Sequence, residues 1–68
     1  MNKIPQRLRE LREERGLSQT QLAKALNYTQ AAIAHWEGGT RTPNIDCLIA
    51  IAKFFDCSLD YLVGLVDY

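Results

Sequence analysis

The stretch SQTQLAKALNYTQAAIAHWEGG, residues 18–39, decides the fold because it repeats one short helical pattern twice in succession. Ser18 suits a helix N-cap, where a hydroxyl oxygen accepts from a backbone N–H that the helix start leaves unpaired. Gln21 completes a capping box with it, and Leu17 and Leu22 bracket the cap as a hydrophobic staple. Leu22, Ala23 and Leu26 then share a face, and Asn27, which tolerates left-handed backbone angles, stops the helix. The pattern restarts at once. Thr29 caps, Tyr28 and Ile33 form the staple, and Ile33, Trp36 and Glu37 run along the helix until Gly38 and Gly39 break it. Helices of about eight to nine residues are too short to stand alone in water. The turn between them spans only about three residues and forces a steep crossing, for which Ala23 supplies the small contact residue. The result is helix-turn-helix geometry over about residues 18–38, with Ile33 and Trp36 pinning the second helix and its outer face shaped for a DNA major groove.

The flanks extend the same grammar. Pro5 suits the first turn of a first helix, in which Leu8, Leu11, Arg12 and Arg15 recur at helical spacing until Gly16. Pro43 and Asn44 open a fourth helix with Leu48, Ile51, Ala52 and Phe55 as its inner stripe, and Cys57-Ser58 opens a short fifth, Cys57 stapling against Leu62. Period-two alternation never persists long enough for a strand. The expected class is all-α, five helices in a single domain over residues 1–68.

Composition narrows the function classes. The 68 residues are 47% hydrophobic and 24% charged, which excludes a disordered chain and a second core. Charged residues fill positions 1–15, unlike a signal peptide, and no apolar run reaches membrane length, so the expected setting is reducing and cytoplasmic. There Cys47 and Cys57 serve as small core residues. Net charge is zero but unevenly spread. Residues 1–41 carry seven basic side chains against four glutamates, +3, whereas residues 42–68 carry Lys53 against four aspartates, −3. Such a split lets a neutral chain present one face to a polyanion.

Arg12, LSQTQLA (17–23), IAHWEGGTRTPN (33–44) and SLDYLVG (58–64), at these spacings, resemble the XRE family. These are the Cro and repressor-type helix-turn-helix proteins of bacteria and phages, and the likeness runs over roughly residues 4–64. The chain departs from the family at Asn27, where glycine is usual, and at Ile49, Ala50 and Phe54, where many relatives carry charged or small polar residues. The resemblance implies a five-helix, lambda-repressor-like fold and a sequence-specific transcriptional regulator of repressor type. It implies a partner, double-stranded DNA, bound as a homodimer on a two-fold symmetric operator. The chain would be either a compact regulator or the DNA-binding part of a longer repressor, encoded by a bacterium or phage.

Site residues follow by position. Gln30, Ala31 and Ala32, with His35 a turn further on, fall where the family reads bases. Gln30 suits adenine, and an alanine methyl suits a thymine methyl. Gln19 falls where the family grips phosphate and buttresses the reading glutamine, at a helix start whose free N–H groups favour an anion. Thr29, Thr40, Arg41 and Thr42 join it as phosphate candidates, with Lys24 and Arg9 behind them. Arg12 matches the residue that pairs with the glutamate of WEGG, here Glu37, and Trp36 is assigned to the core.

Other chemistries fare poorly. His35, Cys47 and Cys57 are too widely spaced for a metal site, and no cofactor or small-molecule ligand is evident. Ser58 is better explained as a cap than as a nucleophile, since no nucleophile elbow surrounds it, and no enzyme is expected. The rival class is a protein-interaction module that keeps the fold and docks a partner through helices four and five. For the dimer contact, Ile49, Phe54, Leu65 and Val66 are apolar without an evident core assignment, and association off DNA is expected to be weak.

Overall fold

A computed structural model describes residues 2–68, as five helices in the order α1 (Ile4–Glu14), α2 (Gln19–Leu26), α3 (Gln30–Gly38), α4 (Ile45–Phe55) and α5 (Leu59–Val63). No strand occurs among the described residues. The caps account for the boundaries. The side chains of Ser18, Thr29, Asn44 and Ser58 each accept from the backbone N–H three residues on, and Gln21 returns the bond to Ser18 at 2.8 Å. Asn27 and Asp56 end α2 and α4 in the left-handed region, at φ 66° and 54°. Gly64 ends α5 at φ 95°, where a Cβ would lie 2.9 Å from Lys3 Cγ, so the close approach of the α1 start requires glycine.

The helices enclose one hydrophobic cluster. Leu8 of α1, Leu22 and Ala23 of α2, Ile33 and Trp36 of α3, Ile51 and Phe55 of α4 and Leu62 of α5 are buried together. Tyr28 meets Trp36 edge-on at 5.3 Å, which closes the short turn between α2 and α3. One detail of the expected stripe on α4 changes. Cys47, one turn before Ile51, is buried, and Leu48 only packs against the cluster's edge.

Arg7 was counted with the basic N-terminal half, yet it is buried inside the fold. Its guanidinium donates to the carbonyls of Tyr61 and Val66, the latter at 2.6 Å, and lies 4.1 Å from the centre of the Tyr61 ring. It thereby ties the C-terminal segment to α1. Five donors on a planar fork suit this work, since several backbone carbonyls are satisfied by one side chain.

Candidate nucleic-acid interface

α2 and α3 cross so that the start of each reaches the same surface, and a polar chain joins them to α1. Arg12 donates to both oxygens of Glu37, at 2.6 and 3.0 Å, and also to the carbonyl of Leu17 at 2.7 Å. Glu37 is buried, its side chain 2% exposed. The hydrogen bond to Glu37 raises the Arg12 pKa, outweighing the opposing effect of burial. The carboxylate also accepts from Gln19 Nε2 at 3.1 Å, and Gln19 Oε1 accepts from Gln30 Nε2 at 2.8 Å.

The order of donors in this chain is dictated from its buried end. An ionised carboxylate only accepts, so Gln19 must turn its amide NH2 inward and its oxygen outward. That oxygen in turn draws the NH2 of Gln30. Gln30 then keeps one N–H and its Oε1 for the outside, one donor beside one acceptor. Adenine presents the complement in the major groove, an N7 acceptor beside an N6 donor.

A groove of about 450 Å³ lies along the start of α3, bounded by Thr29, Ala31, Ala32, His35, Arg41 and Thr42, with Asn44 and Cys47 on its α4 side. It therefore gathers most of the expected DNA-contacting residues. Ala31 is exposed, whereas Ala32 is half-buried against the core and shows only part of its methyl. His35 is exposed, and its Nδ1 lies 2.7 Å from Thr40 Oγ1. Thr29 is exposed, and its hydroxyl oxygen caps α3. Lys24 is exposed on the last turn of α2, outside the groove.

Of the seven basic side chains in residues 1–41, Arg7 is buried and Arg12 half-buried, and the exposed Arg15 is engaged with its neighbours. Arg7 and Arg12 hold backbone and Glu37, and Arg15 bonds the Phe54 carbonyl and faces the Phe54 and Phe55 rings at 5.5 and 5.3 Å. Arg9 lies 3.9 Å from Glu37 with its side chain 55% exposed. Lys3, Arg9, Arg15, Lys24 and Arg41 are exposed. Lys24, Arg41 and the outer part of Arg9 remain for an anionic partner near this face.

The four apolar residues expected at a dimer contact divide. Ile49 and Leu65 are exposed, at 38% and 76%. Phe54 does have a core assignment, since it packs edge-on against Phe55 at 5.0 Å, and Val66 is half-buried in the segment held by Arg7. Ile45 and Tyr68, which the sequence did not single out, are exposed at 60% and 89%. A second groove, about 640 Å³, lies between Leu11, Phe55, Cys57, Tyr61, Val66 and Tyr68. Cys47 and Cys57 are free thiols, and burial pushes the Cys57 thiol up, with Asp56 adding to it. Among the described residues no helix is long and apolar enough to cross a membrane, and no cluster of His, Cys, Asp and Glu could hold a metal.

Residues 8–62 match the helix-turn-helix family model. An uncharacterized HTH-type transcriptional regulator of Bacillus subtilis, YobD, is 36% identical over 62 residues, covering 91% of this chain and 55% of that protein. The HTH-type transcriptional activator BcrR of Enterococcus faecalis is 40% identical over 59 residues, covering 87% of this chain and 29% of its own length. The chain thus spans about half or less of these relatives. Among solved structures, the P22 c2 repressor in complex with a synthetic operator superposes with a TM-score of 0.84. It is 33% identical, and the alignment covers 90% of this chain and 92% of that one.

Proposed function

The chain belongs to the helix-turn-helix family, and on that premise we propose that it is a sequence-specific DNA-binding transcriptional regulator of repressor type, acting in the cytoplasm. The observation that carries the reading is the Arg12–Glu37–Gln19–Gln30 chain, which fixes one donor and one acceptor at the exposed start of α3. Gln30 reads adenine, Ala31 and the exposed part of Ala32 meet a thymine methyl, and His35 faces the DNA a turn further on. Gln19, Thr29, Lys24, Thr40, Arg41 and Thr42 grip phosphates, which position the protein without reading sequence. The reading surface has few polar groups, so shape and bridging water contribute part of the specificity.

The longest dimension of the protomer is 28 Å, shorter than the roughly 34 Å between major grooves on one face of the duplex. One protomer therefore reaches one half-site, and a two-fold symmetric operator calls for a homodimer. Ile49 and Leu65, joined by Ile45 and Tyr68, are the apolar side chains available for that contact. Selection of bound sequences from a random DNA pool tests the whole reading. A palindromic site with an adenine in each half supports it, and an unenriched pool refutes it. The interaction-module reading draws on the internal use of Arg7, Arg12 and Arg15 and on the apolar groove beside α5. It would prevail if no duplex bound at low salt.

A further inference from the structure

Arg7 is a buried cation with little negative charge around it. Asp67 lies 3.5 Å away with its side chain 95% exposed, and no other carboxylate pairs with Arg7 among the described residues. What the guanidinium holds is backbone. Nη1 donates to the Tyr61 carbonyl and to the Val66 carbonyl, which uses both of its hydrogens, and the planar group lies over the Tyr61 ring. Taking a cation out of water is costly. An apolar side chain would fill the same space without that cost, but it would hold no carbonyl.

The segment it holds follows α5. The N–H groups of Gly64 and Leu65 bond the Asp60 carbonyl at 3.1 and 2.8 Å, and the Lys3 N–H bonds the Val63 carbonyl at 3.2 Å. Beyond Leu65, the polar ties among the described residues are those of Arg7, to the Val66 carbonyl and more loosely to Asp67. Leu65 is thus gripped on both sides, at its own N–H and at the carbonyl of the next residue. Its backbone is fixed while the residue stands 76% exposed. Val66 and Tyr68, from the same segment, wall the groove that Leu11, Phe55 and Tyr61 help to complete.

Resting on the dimer reading above, we infer that Arg7 is a positioning residue for the contact between protomers, holding the segment after α5 so that Leu65 projects beside the groove. The occupant of that contact is a second copy of this chain. One protomer measures 28 Å at its longest and reaches one half-site, so a two-fold symmetric operator places a second copy beside it. An isologous contact then brings the same segment of both protomers together across the axis. A segment free to move would have to be ordered when the protomers meet, and a small contact has little free energy to offset that loss. With Arg7 in place the ordering is done on folding, before association.

The test compares a duplex carrying the full site recovered from the random pool with a duplex carrying one half of it. Cooperativity is the affinity of the second protomer for the full site divided by that of one protomer for the half-site. Arg7→Met keeps an apolar stem in the buried place and removes the donors, and the two carbonyls it frees belong to half-buried residues that water can reach. Circular dichroism establishes the folded fraction at the assay temperature. Half-site affinity should stay within about twofold of wild type, while cooperativity should fall about tenfold or more. Arg7→Lys, which returns a charge and N–H donors without the planar fork, should recover part of the loss. With Leu65→Glu already in place, Arg7→Met should cost no further cooperativity, because both act through one contact. Amide hydrogen exchange on the wild type needs no variant: the Leu65 amide should be protected in the free protein and gain further protection on the full site alone. An Arg7→Met protein that stays fully cooperative, or that loses half-site and full-site affinity alike, overturns the inference and leaves the dimer reading intact. So does a Leu65 amide that exchanges in the free protein as fast as in an unfolded chain. Wild-type half-sites that fill independently overturn the dimer reading and the inference with it. Absence of binding to either duplex overturns the DNA-binding reading itself, and both with it.

Discussion

Replacing Arg12 by methionine removes the cation from a carboxylate whose side chain is only 2% exposed. What Glu37 keeps is the Gln19 amide at 3.1 Å and the half-exposed Arg9 at 3.9 Å. Breaking a buried pair on one side costs about 3–5 kcal/mol, and these residual partners place this case near 3 kcal/mol. The Leu17 carbonyl also loses its donor at 2.7 Å, which adds about 1 kcal/mol. A chain of this size has a total stability of roughly 3–10 kcal/mol, so the loss consumes a large part of it. Glu37→Gln costs less, about 2 kcal/mol, because Arg12 stays bonded to Leu17 and keeps some access to water.

The double variant separates the pair from its surroundings. The orphaned Leu17 carbonyl is common to both methionine backgrounds and cancels in the cycle. The remaining coupling between Arg12 and Glu37 should be about 2–3 kcal/mol. Urea unfolding followed by circular dichroism measures it, provided the four proteins share one m-value. Arg12→Lys supplies an intermediate point at about 1–2 kcal/mol, since it keeps the charge and gives up the two-point geometry. If the two single losses summed to the double loss within about 0.5 kcal/mol, the ion pair would carry no weight in the fold.

Gln30→Ala should relax base preference at one position per half-site at a cost of about 1–3 kcal/mol on the preferred site, read by competition among duplexes that differ at that position. Arg41→Ala should instead weaken all sequences nearly equally and lower the salt slope by about one, and matching specificity profiles for the two variants would contradict the division into reader and gripper. With Arg9, Lys24 and Arg41 left near the DNA face, the slope itself should be shallow, about three phosphates per protomer, in a salt titration on mixed-sequence DNA. Leu65→Glu should abolish cooperative operator binding while leaving the unfolding curve of the monomer unchanged. Tight binding to an isolated half-site, indifferent to that change, would remove the dimer contact from the C-terminal segment.

Local features of the fold were readable because their partners lie within a few residues. Ser18, Thr29, Asn44 and Ser58 each bond an N–H three positions away, so cap and helix start are visible in one short window. The Arg7 clamp was not readable. It bonds backbone carbonyls 54 and 59 residues away, and a carbonyl carries no side-chain identity for a sequence to display. The same holds for Arg15 on the Phe54 carbonyl. Charge counted along the chain therefore differs from charge on the surface, because Arg7 is buried and Arg12 is paired with Glu37. Phe54 was misplaced for a related reason. Its exposure depends on Arg15 and Phe55 arriving beside it, which helical spacing alone does not specify.

Stability and recognition meet in one element here. A glutamine facing DNA has two nearly isosteric orientations, and only one offers adenine its complement in the intended order. Free in solvent, Gln30 would pass between them and leave part of its binding energy as the cost of choosing. The buried carboxylate removes the choice at a distance, because an acceptor at one end of the chain propagates donor-to-acceptor order through Gln19 to the surface. Arg12 donates to both oxygens of that carboxylate and holds it in place inside the fold. On the proposed reading of Gln30, the ion pair that joins α1 to α3 also sets the polarity of the side chain that meets the base. A base preference set this way does not depend on surface charge, since orientation is fixed from inside the protein.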